Sequence, residues 1–367
     1  MRVLALGPES YGGFAGIAQG TRDYLGGLLS DPSVEGIQLL ARRAPDGGPP
    51  PPSGIEQEVS AGWSPLFARR AVELAVERSY DLVFCLHVNL MPVAALLKRM
   101  FGTPIWLSIH GIDAWAPPAS LLRRRSIEAA DFVTSSSRYT RERFLDWSPL
   151  LPEQVEVNSN PVHLERWAPG PKPQALLERY GLRDHRVLLT VGRMLGGDRL
   201  KGHDEILRAL PGLLNTYPDL KWLIVGNGPD RGRIESNVRS AGLSEHVVFA
   251  GRIPEEEKAD HYRVADAYAL PSRTEGFGIA YLEAAACGLP LLGSVLDGSR
   301  DPLCDGAMGI LVDPGDPRQV EDGLRRLMAQ PKRVPAELER FSYACLEARM
   351  QRMMAERFRS LRRGAAA

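Results

Sequence analysis

The most informative segment of the chain extends from Pro271 to Pro290 and is PSRTEGFGIAYLEAAACGLP. It follows an apolar run, Ala267–Leu270, and contains glycines at positions 276 and 278. The second half of the segment has helical character, and we expect this helix to end at Gly288. Glycine after the last turn and proline just beyond it are typical of helix C-termini. The segment therefore predicts a strand, a glycine-containing loop and a helix.

Short apolar runs alternate with amphipathic stretches outward from this segment over nearly the whole chain. Such alternation is typical of parallel sheets covered by helices, so the sequence predicts an α/β fold. The predicted strands are Val3–Leu6, Gly36–Leu40, Leu82–Leu86, Ile105–Ile109, Phe132–Thr134, Val155–Val157, Arg186–Val191, Trp222–Val225, Val247–Ala250, Ala267–Leu270 and Leu289–Leu292. The predicted helices include Phe67–Arg78, Val93–Met100, Asp204–Leu214, Pro254–Ala265, Gly278–Ala286 and the C-terminal stretch Glu337–Arg363.

The length of 367 residues is too great for one ordinary core and fits two domains of roughly 180 residues each. The stretch Asn160–Pro173 holds four prolines and suits an interdomain linker. We predict Rossmann-like, doubly wound domains over residues 1–165 and 166–345, followed by a C-terminal helix, residues 346–367, with the option of packing back on the first domain. Two such sheets create a cleft at the carboxyl edges of their strands, where ligands are expected.

The composition is that of a soluble globular protein, with 44% hydrophobic and 25% charged residues. Lysine plus arginine equals aspartate plus glutamate at 45 each, so no global field attracts nucleic acid. The four cysteines form no C-x-x-C pair, which disfavours a zinc site and fits a reducing compartment. No apolar run approaches the length of a membrane span or signal peptide. We therefore expect a cytoplasmic protein.

Two glutamates stand in the segment from Pro271 to Pro290. Glu275 precedes the predicted helix and Glu283 lies about two turns into it. Glycines at a helix entrance let a ligand approach backbone N–H groups, and the helix dipole favours an anion there. A nucleoside diphosphate sugar fits this spacing. The alternative is that Glu275 only complements the dipole and that Glu283 is a solvated helix residue.

Three further segments place glycines and ionisable side chains after predicted strands. Gly192-Arg193 ends one strand, and Lys201-Gly202 opens the following helix; two cations there can neutralise a diphosphate, although an ordinary basic loop has the same composition. His110 follows an apolar strand and precedes Gly111 and Asp113, where a structural role is the alternative. The loop after the first strand contains Gly12-Gly13 and could hold phosphate, but it is not G-x-G-x-x-G.

Together these segments resemble the retaining glycosyltransferases of the GT-B fold, family 4 in the sequence classification (glycosyl transferases group 1). The resemblance covers the whole chain, because its motifs occur in the expected order. They are Gly12-Gly13, His110-Gly111, Gly192-Arg193, Lys201-Gly202, Val225–Pro229, Phe249–Arg252, Pro271-Ser272 and the E-x7-E pair Glu275 and Glu283.

The resemblance implies a catalytic set of His110, Glu275, Arg193 and Lys201, in which the two cations bind the donor diphosphate. It implies that Glu283 bonds the ribose hydroxyls. The other donor-binding residues that it implies are Gly12, Gly13, Gly192, Arg199, Gly226, Arg252, Ile253, Gly276, Phe277, Gly278 and Ile279. Neither a metal nor another cofactor is implied. The interval from Arg193 to Lys201 is longer than usual in the family, so Arg199 is an alternative to Arg193.

The implied reaction is transfer of a hexosyl-type sugar from a UDP- or GDP-linked donor to a glycan or lipid-linked acceptor hydroxyl, with retention of configuration, in bacterial glycan, polysaccharide or glycolipid synthesis. The alternatives are a GT-B sugar-nucleotide epimerase and a non-catalytic nucleotide-sugar-binding homologue. A two-domain NAD dehydrogenase is disfavoured, since Arg231 stands where a dinucleotide fingerprint needs its third glycine. The arginines Arg123–Arg125, Arg138, Arg141 and Arg143 are either a solvated face or a peripheral contact with the anionic inner membrane surface.

Overall fold

The computed structural model describes residues 1–9, 11, 16–44, 49–60, 65–194 and 201–358. The chain divides into two compact units. Unit 1 comprises residues 1–161 together with the segment that begins at Tyr343, and unit 2 is Val162–Ser342. The sequence-based boundaries are after residues 165 and 345. Among the described residues, no helix combines the length and the apolar character that a bilayer span requires.

Unit 1 is built on a parallel sheet in which the described part of the chain contributes seven strands, in the order β3-β2-β1-β4-β5-β6-β7. The strands are β1 Arg2–Glu9, β2 Gly36–Arg43, β3 Ile55–Val59, β4 Leu82–Cys85, β5 Ile105–Ile109, β6 Phe132–Ser135 and β7 Val155–Val157. The helices are α1 Gly16–Leu29, α2 Pro65–Glu77, α3 Met91–Phe101, α4 Leu121–Ser126, α5 Arg138–Leu145 and, at the C-terminal end of the chain, α12 Tyr343–Met353. Buried side chains pack on both faces of this sheet.

Unit 2 repeats the architecture with a parallel sheet that has six strands within the described residues, in the order β10-β9-β8-β11-β12-β13. The strands are β8 Arg186–Val191, β9 Leu220–Val225, β10 Val247–Gly251, β11 Ala267–Ala269, β12 Leu291–Ser294 and β13 Ile310–Val312. The helices are α6 Gln174–Arg179, α7 His203–Thr216, α8 Arg231–Ser240, α9 Lys258–Val264, α10 Ile279–Ala286 and α11 Pro317–Met328. The sheet again has apolar clusters on both faces.

The strand order places a topological switch point in each sheet. In unit 2, β8 pairs with β9 on one side and with β11 on the other. In unit 1, β1 lies between β2 and β4 in the same manner. Open α/β sheets bind ligands outside the carboxyl ends of the strands at such a point. The carboxyl ends of β8 and β11 are therefore the expected ligand-binding edge of unit 2.

Each sheet buries a tryptophan whose indole N–H is satisfied by a threonine on a neighbouring strand. Trp106 Nε1 donates to Thr134 Oγ1 at 2.9 Å in unit 1, and Trp222 Nε1 donates to Thr190 Oγ1 at 2.9 Å in unit 2. The Thr190 hydroxyl in turn donates to the carbonyl of Ala269 at 2.8 Å. A buried donor without a partner would be costly, so these bonds let large aromatic rings occupy the strands.

The structure differs from the sequence-based secondary structure at several element ends and at three larger places. Strands β3 and β13 are not among the predicted strands. The first is a partly polar edge strand, IEQEV, and the second has only three residues. The predicted C-terminal helix began at Glu337, whereas 3₁₀ turns occupy Ala336–Phe341 and α12 begins at Tyr343. Helix α12 packs on α1, where a Cβ atom on Gly27 would lie 3.1 Å from Met350 Cγ.

Candidate active site

The connection from β8 to α7 supplies the cations at the carboxyl edge of unit 2. Gly192 follows the strand and donates its N–H to the carbonyl of Val225 at 3.0 Å. Arg193 is exposed. Lys201 lies just before α7. Residues 195–200, which include the predicted donor-binding residue Arg199, lie outside the described residues. The first-domain candidates Gly12 and Gly13 also lie outside the described residues.

Gly202 brings the start of α7 against the end of β11. It caps the helix in the left-handed conformation, with φ of 82°. A Cβ atom at this position would lie 2.8 Å from the carbonyl oxygen of Pro271. Only glycine accepts both the positive φ and this close backbone approach. Lys201 is thereby held beside the loop that follows β11.

Lys201 and Glu275 form the central ion pair of this edge. Lys201 Nζ donates to Glu275 Oε1 at 2.5 Å, and the side chains are 15% and 16% exposed. The pair is therefore largely removed from water yet still open to a ligand. The fold thus brings together two of the predicted catalytic residues, Lys201 from the loop before α7 and Glu275 from the loop before α10.

The backbone of Glu275 is fixed by the loop after β12. The Glu275 N–H donates to Asp297 Oδ2 at 2.9 Å, and the Glu275 carbonyl accepts the N–H of Gly298 at 2.8 Å. Burial raises the pKa of Asp297 to about 7. Sequence analysis did not identify Asp297 as a site residue, because it lies 22 positions beyond Glu275 and only the fold joins them.

The entrance of α10 is formed by Gly276, Phe277 and Gly278. Gly278 caps the helix with φ of 92°. The N–H groups of the first turn lie at this N-terminus, which is the positive end of the helix dipole. Phe277 is buried and its ring packs on Phe341, with the ring centroids 6.0 Å apart. A ligand can therefore meet Phe277 only through its backbone. Ile279 packs against the same apolar cluster.

Glu283 is the centre of a buried polar group. The alternative that it is a solvated helix residue is therefore wrong. Glu283 is 6% exposed. Its Oε1 accepts Lys258 Nζ at 2.7 Å, and its Oε2 accepts the Tyr262 hydroxyl at 2.6 Å. Burial acts to lower the pKa of Lys258, but the charges of Glu283 and Glu255 and the hydrogen bond to Glu283 together outweigh burial, and the pKa is raised. Lys258 also lies over the Trp167 ring, 5.4 Å from its centroid.

The remaining donor-side candidates follow β9 and β10. Gly226 has φ of 133° and donates its N–H to the carbonyl of Gly251 at 2.8 Å. A Cβ atom on Gly226 would overlap the carbonyl oxygen of Gly192, so glycine is required where these two loops touch. Arg252 is exposed, whereas Ile253 packs against the unit 2 core.

His110 lies in unit 1, at the carboxyl end of β5. Its Nε2 lies 3.0 Å from the carbonyl oxygen of Leu86, and its backbone N–H donates to Asp113 Oδ1 at 3.2 Å. Because a carbonyl only accepts, Nε2 carries the proton and Nδ1 is left as an acceptor in the neutral ring. The ring also stacks on Tyr24 at 6.1 Å. The fold thus fixes both the orientation and the tautomer of His110.

These features can bind a polyanion. Lys201 and the entrances of α7 and α10 converge outside the carboxyl ends of β8 and β11, and Arg193 follows β8 directly. Cations and helix N-termini together match the charge and the acceptor oxygens of a diphosphate. Within the described part of the chain, no group of three or more His, Cys, Asp or Glu side chains is arranged to hold a metal ion.

Two Rossmann-like units with a diphosphate-type edge in the second define the GT-B class of glycosyltransferases. Residues 177–348 match the family model "Glycosyl transferases group 1", and residues 35–166 match "Glycosyltransferase Family 4". The chain belongs to this glycosyltransferase family and is a glycosyltransferase.

Named relatives and solved structures agree with this membership. The chain is 36% identical over 285 residues to the GDP-mannose-dependent alpha-(1-6)-phosphatidylinositol monomannoside mannosyltransferase of Mycolicibacterium smegmatis, with 74% of this chain and 73% of that protein covered. It is 32% identical over 309 residues to the D-inositol 3-phosphate glycosyltransferase 1 of Catenulispora acidiphila, covering 78% and 73%. Sucrose-phosphate synthase from Thermosynechococcus elongatus shares the fold, with a TM-score of 0.81 at 22% identity over 98% of this chain and 100% of that one.

Proposed function

We propose that this glycosyltransferase moves a hexosyl-type sugar from a GDP- or UDP-linked donor to an acceptor hydroxyl with retention of the anomeric configuration. The observation that carries the proposal is the Lys201–Glu275 pair beside the glycine entrance of α10. The relative from Mycolicibacterium smegmatis is by name GDP-mannose-dependent, so GDP-mannose is the first donor to test.

The chemical demand is to stabilise the charge that develops on the departing diphosphate. The bond from the anomeric carbon to the diphosphate oxygen breaks with its electron pair on that oxygen. The acceptor oxygen bonds to the same face of the carbon, and its proton passes to a diphosphate oxygen. Lys201, Arg193 and the N–H groups at Gly276–Gly278 meet this charge, and such preorganised donors are the largest contribution in many enzymes. We infer that the reaction needs neither a metal ion nor another cofactor.

The buried Glu283 group suits the ribose of the donor. Glu283 keeps further lone pairs after accepting from Lys258 and Tyr262, and a ribose hydroxyl can donate to them. The raised pKa of Lys258 keeps its ammonium group charged beside Glu283 Oε1. Glu275 is left to contact the transferred sugar.

We propose that the acceptor is a glycan or lipid-linked molecule in bacterial glycan, polysaccharide or glycolipid synthesis, and that unit 1 contacts the inner membrane surface from the cytoplasm. The named relatives act on a phosphatidylinositol monomannoside and, by name, on D-inositol 3-phosphate. Both acceptors carry a phosphoinositol group, and the first is a lipid. An enzyme that uses a lipid acceptor gains from a contact with the membrane that holds it.

Helix α4 is the surface of unit 1 that fits an anionic membrane. Leu121 and Leu122 are 67% and 69% exposed, and Arg124 and Arg125 beside them are exposed as well. Apolar side chains next to arginines favour insertion at an anionic lipid surface. Arg141, which the sequence groups with them, instead donates to the backbone carbonyls of Val155 and Pro152.

Vesicle sedimentation tests this surface. Phosphatidylcholine vesicles are compared with vesicles that also contain phosphatidylglycerol. We expect binding to the anionic vesicles, weakened at least about tenfold by the double change Leu121→Ser and Leu122→Ser. Val76→Ser is the matched control, because Val76 on α2 is also 69% exposed. Equal binding to both vesicle types, or an equal loss in the Val76 variant, would refute the surface.

Thermal stabilisation followed by turnover tests the reaction. GDP, UDP, ADP, TDP and NAD are added in turn, without and then with a divalent metal. A ligand at 100 times its dissociation constant adds about 2.7 kcal/mol to the folded state, which raises the melting temperature visibly. We expect a response to one nucleoside diphosphate, and product formation with the matching sugar donor in the presence of EDTA. A response to NAD alone, or to none of them, would contradict the proposal.

A further inference from the structure

Asp297 is a fully buried carboxylate that the proposed reaction does not use. It follows β12 in unit 2 and is 0% exposed. Its Oδ1 accepts the backbone N–H of Ser299 at 3.0 Å and also the Ser299 hydroxyl. Its Oδ2 accepts the backbone N–H of Glu275 at 2.9 Å. A buried charge is retained only when its surroundings compensate for lost hydration. The hydrogen bond from the Glu275 N–H links Asp297 to a second loop.

That contact reaches the residue whose side chain pairs with Lys201. The Glu275 N–H is bonded to Asp297 and the Glu275 carbonyl to the N–H of Gly298. The two loops touch so closely that a Cβ atom on Gly298 would lie 2.7 Å from the Glu275 carbonyl oxygen. The loop after β12 therefore holds both polar backbone groups of Glu275 and leaves its carboxylate for Lys201.

We propose that Asp297 is a positioning residue for sugar transfer, which fixes the backbone of Glu275 and so places the Lys201–Glu275 pair at the entrance of α10. The inference rests on the proposed function, because that function gives the pair its role. Asp297 itself touches neither donor nor acceptor. Positioning matters because a displacement of about 1 Å can lower a rate by about 10²-fold.

The charge of Asp297 changes near neutral pH. Its titratable neighbours are Glu275, through the loop before α10, and Tyr281, from α10 itself. Burial raises the pKa of Asp297 to about 7, the Ser299 hydroxyl opposes that rise, and the charge of Glu275 adds to it. A carboxylate accepts the Glu275 N–H more strongly than a neutral acid does. The hydrogen bond from the Glu275 N–H to Asp297 should therefore weaken as the pH falls below about 7.

The experiment measures kcat and KM from about pH 5.5 to about pH 9 for the wild type, Asp297→Asn and Ser299→Ala. We expect Asp297→Asn to lower kcat by about 10²-fold, to change the donor KM little, and to abolish the decline in kcat below pH 7. Ser299→Ala is the matched control, since it removes a bond to Oδ1 but leaves the Glu275 bond on Oδ2. It should keep most of the wild-type kcat at high pH, and its decline in kcat should begin at a higher pH than in the wild type, because the Ser299 hydroxyl opposes the rise in the pKa of Asp297.

Hydrogen exchange of the peptide from Arg273 to Gly278 gives a readout that does not depend on activity. In the wild type, protection of this peptide should fall as the pH passes below about 7, after correction for the intrinsic exchange rate. In Asp297→Asn it should be low at every pH. If that variant does not fold, the wild-type pH series alone decides.

Two results would overturn the proposal. One is an Asp297→Asn enzyme with the wild-type kcat and pH profile. The other is wild-type protection of Glu275 that does not change with pH. Absence of wild-type turnover with every donor would instead contradict the proposed function, and the exchange experiment would still report on Asp297.

Discussion

The two edges of the unit 2 sheet each carry a lysine–carboxylate ion pair, and the pairs differ in what surrounds them. At the carboxyl edge, Lys201 and Glu275 are 2.5 Å apart and 15% and 16% exposed. At the amino edge, Lys172 and Asp266 are 2.7 Å apart and 30% and 29% exposed. The distances are close to equal, so the geometry of an ion pair does not by itself distinguish a binding site.

The backbone distinguishes the edges. The carboxyl edge has Gly202, Gly226 and Gly278 in positive-φ conformations, and Gly202 and Gly278 stand at the N-termini of α7 and α10. The amino edge has a polar cavity of about 340 Å³, and its described lining contains no glycine. Six of its lining residues are Lys172, His185, Arg186, Asp219, Asp266 and Lys332. This cavity is charged, but no glycine backbone lines its described wall, and helix N-termini do not converge at this edge of the sheet. It therefore lacks two features of a diphosphate site.

Replacement of the two lysines is the most severe test of this comparison. We expect Lys201→Ala to lower kcat/KM by at least about 10³-fold, because a cation that stabilises the leaving group is lost. Lys172→Ala should change kcat/KM by less than about threefold. Circular dichroism and the melting temperature establish that both variants fold. Comparable losses of activity in the two variants would remove the functional distinction between the edges.

Two glycines sharpen the backbone part of the comparison. Gly202 has φ of 82° and faces the Pro271 carbonyl at 2.8 Å, whereas Gly181, before β8, has φ of 61° and nothing within 4 Å of an added Cβ. Alanine at Gly181 should cost about 1 kcal/mol of unfolding free energy from strain alone. Alanine at Gly202 should cost about 3 kcal/mol, since backbone overlap adds to the strain. Chemical denaturation measures both, and equal costs would show that the contact with Pro271 relaxes.

The pH dependence of the unfolding free energy tests whether water is excluded from His203 at the carboxyl edge of unit 2. His203, the first residue of α7, is buried, its Nε2 has no hydrogen-bond partner among the described residues, and burial lowers its pKa to about 4. The unfolded chain binds this proton near pH 6.5, so the stability contributed by neutral His203 is lost as the pH falls from about 6.5 towards 4. The loss should reach about 2 kcal/mol at pH 5. His203→Phe should remove that part of the acid sensitivity in denaturation experiments; an unchanged slope would mean that the site admits water.

The sequence was sufficient for those parts of the molecule that depend on local pattern. The α/β fold with parallel sheets was predicted correctly, since apolar strands such as Arg186–Val191 alternate with amphipathic helices, and the GT-B fold that the family resemblance implied is confirmed. The short strand β13 and the polar edge strand β3 were not predicted, because neither shows a period-two apolar pattern over enough residues. Lys201 and Glu275 were each suggested as site residues by residue types at strand ends, but their ion pair was not. Lys258 and Asp297 could not be found in this way, because only tertiary packing brings them to Glu283 and Glu275.

The smallest expected effect belongs to the amino-edge pair and concerns stability. Lys172→Met should change the unfolding free energy by less than about 1 kcal/mol, because the pair is partly exposed and such pairs contribute little. Lys332 also remains, with its Nζ 3.8 Å from Asp266 Oδ1. Asp266→Ala should cost more, since Asp266 Oδ2 also accepts the N–H of Val187 at 2.8 Å. Denaturation of the two variants separates these contributions. A larger cost for Lys172→Met than for Asp266→Ala would show that the lysine holds the segment before α6 by contacts other than this ion pair.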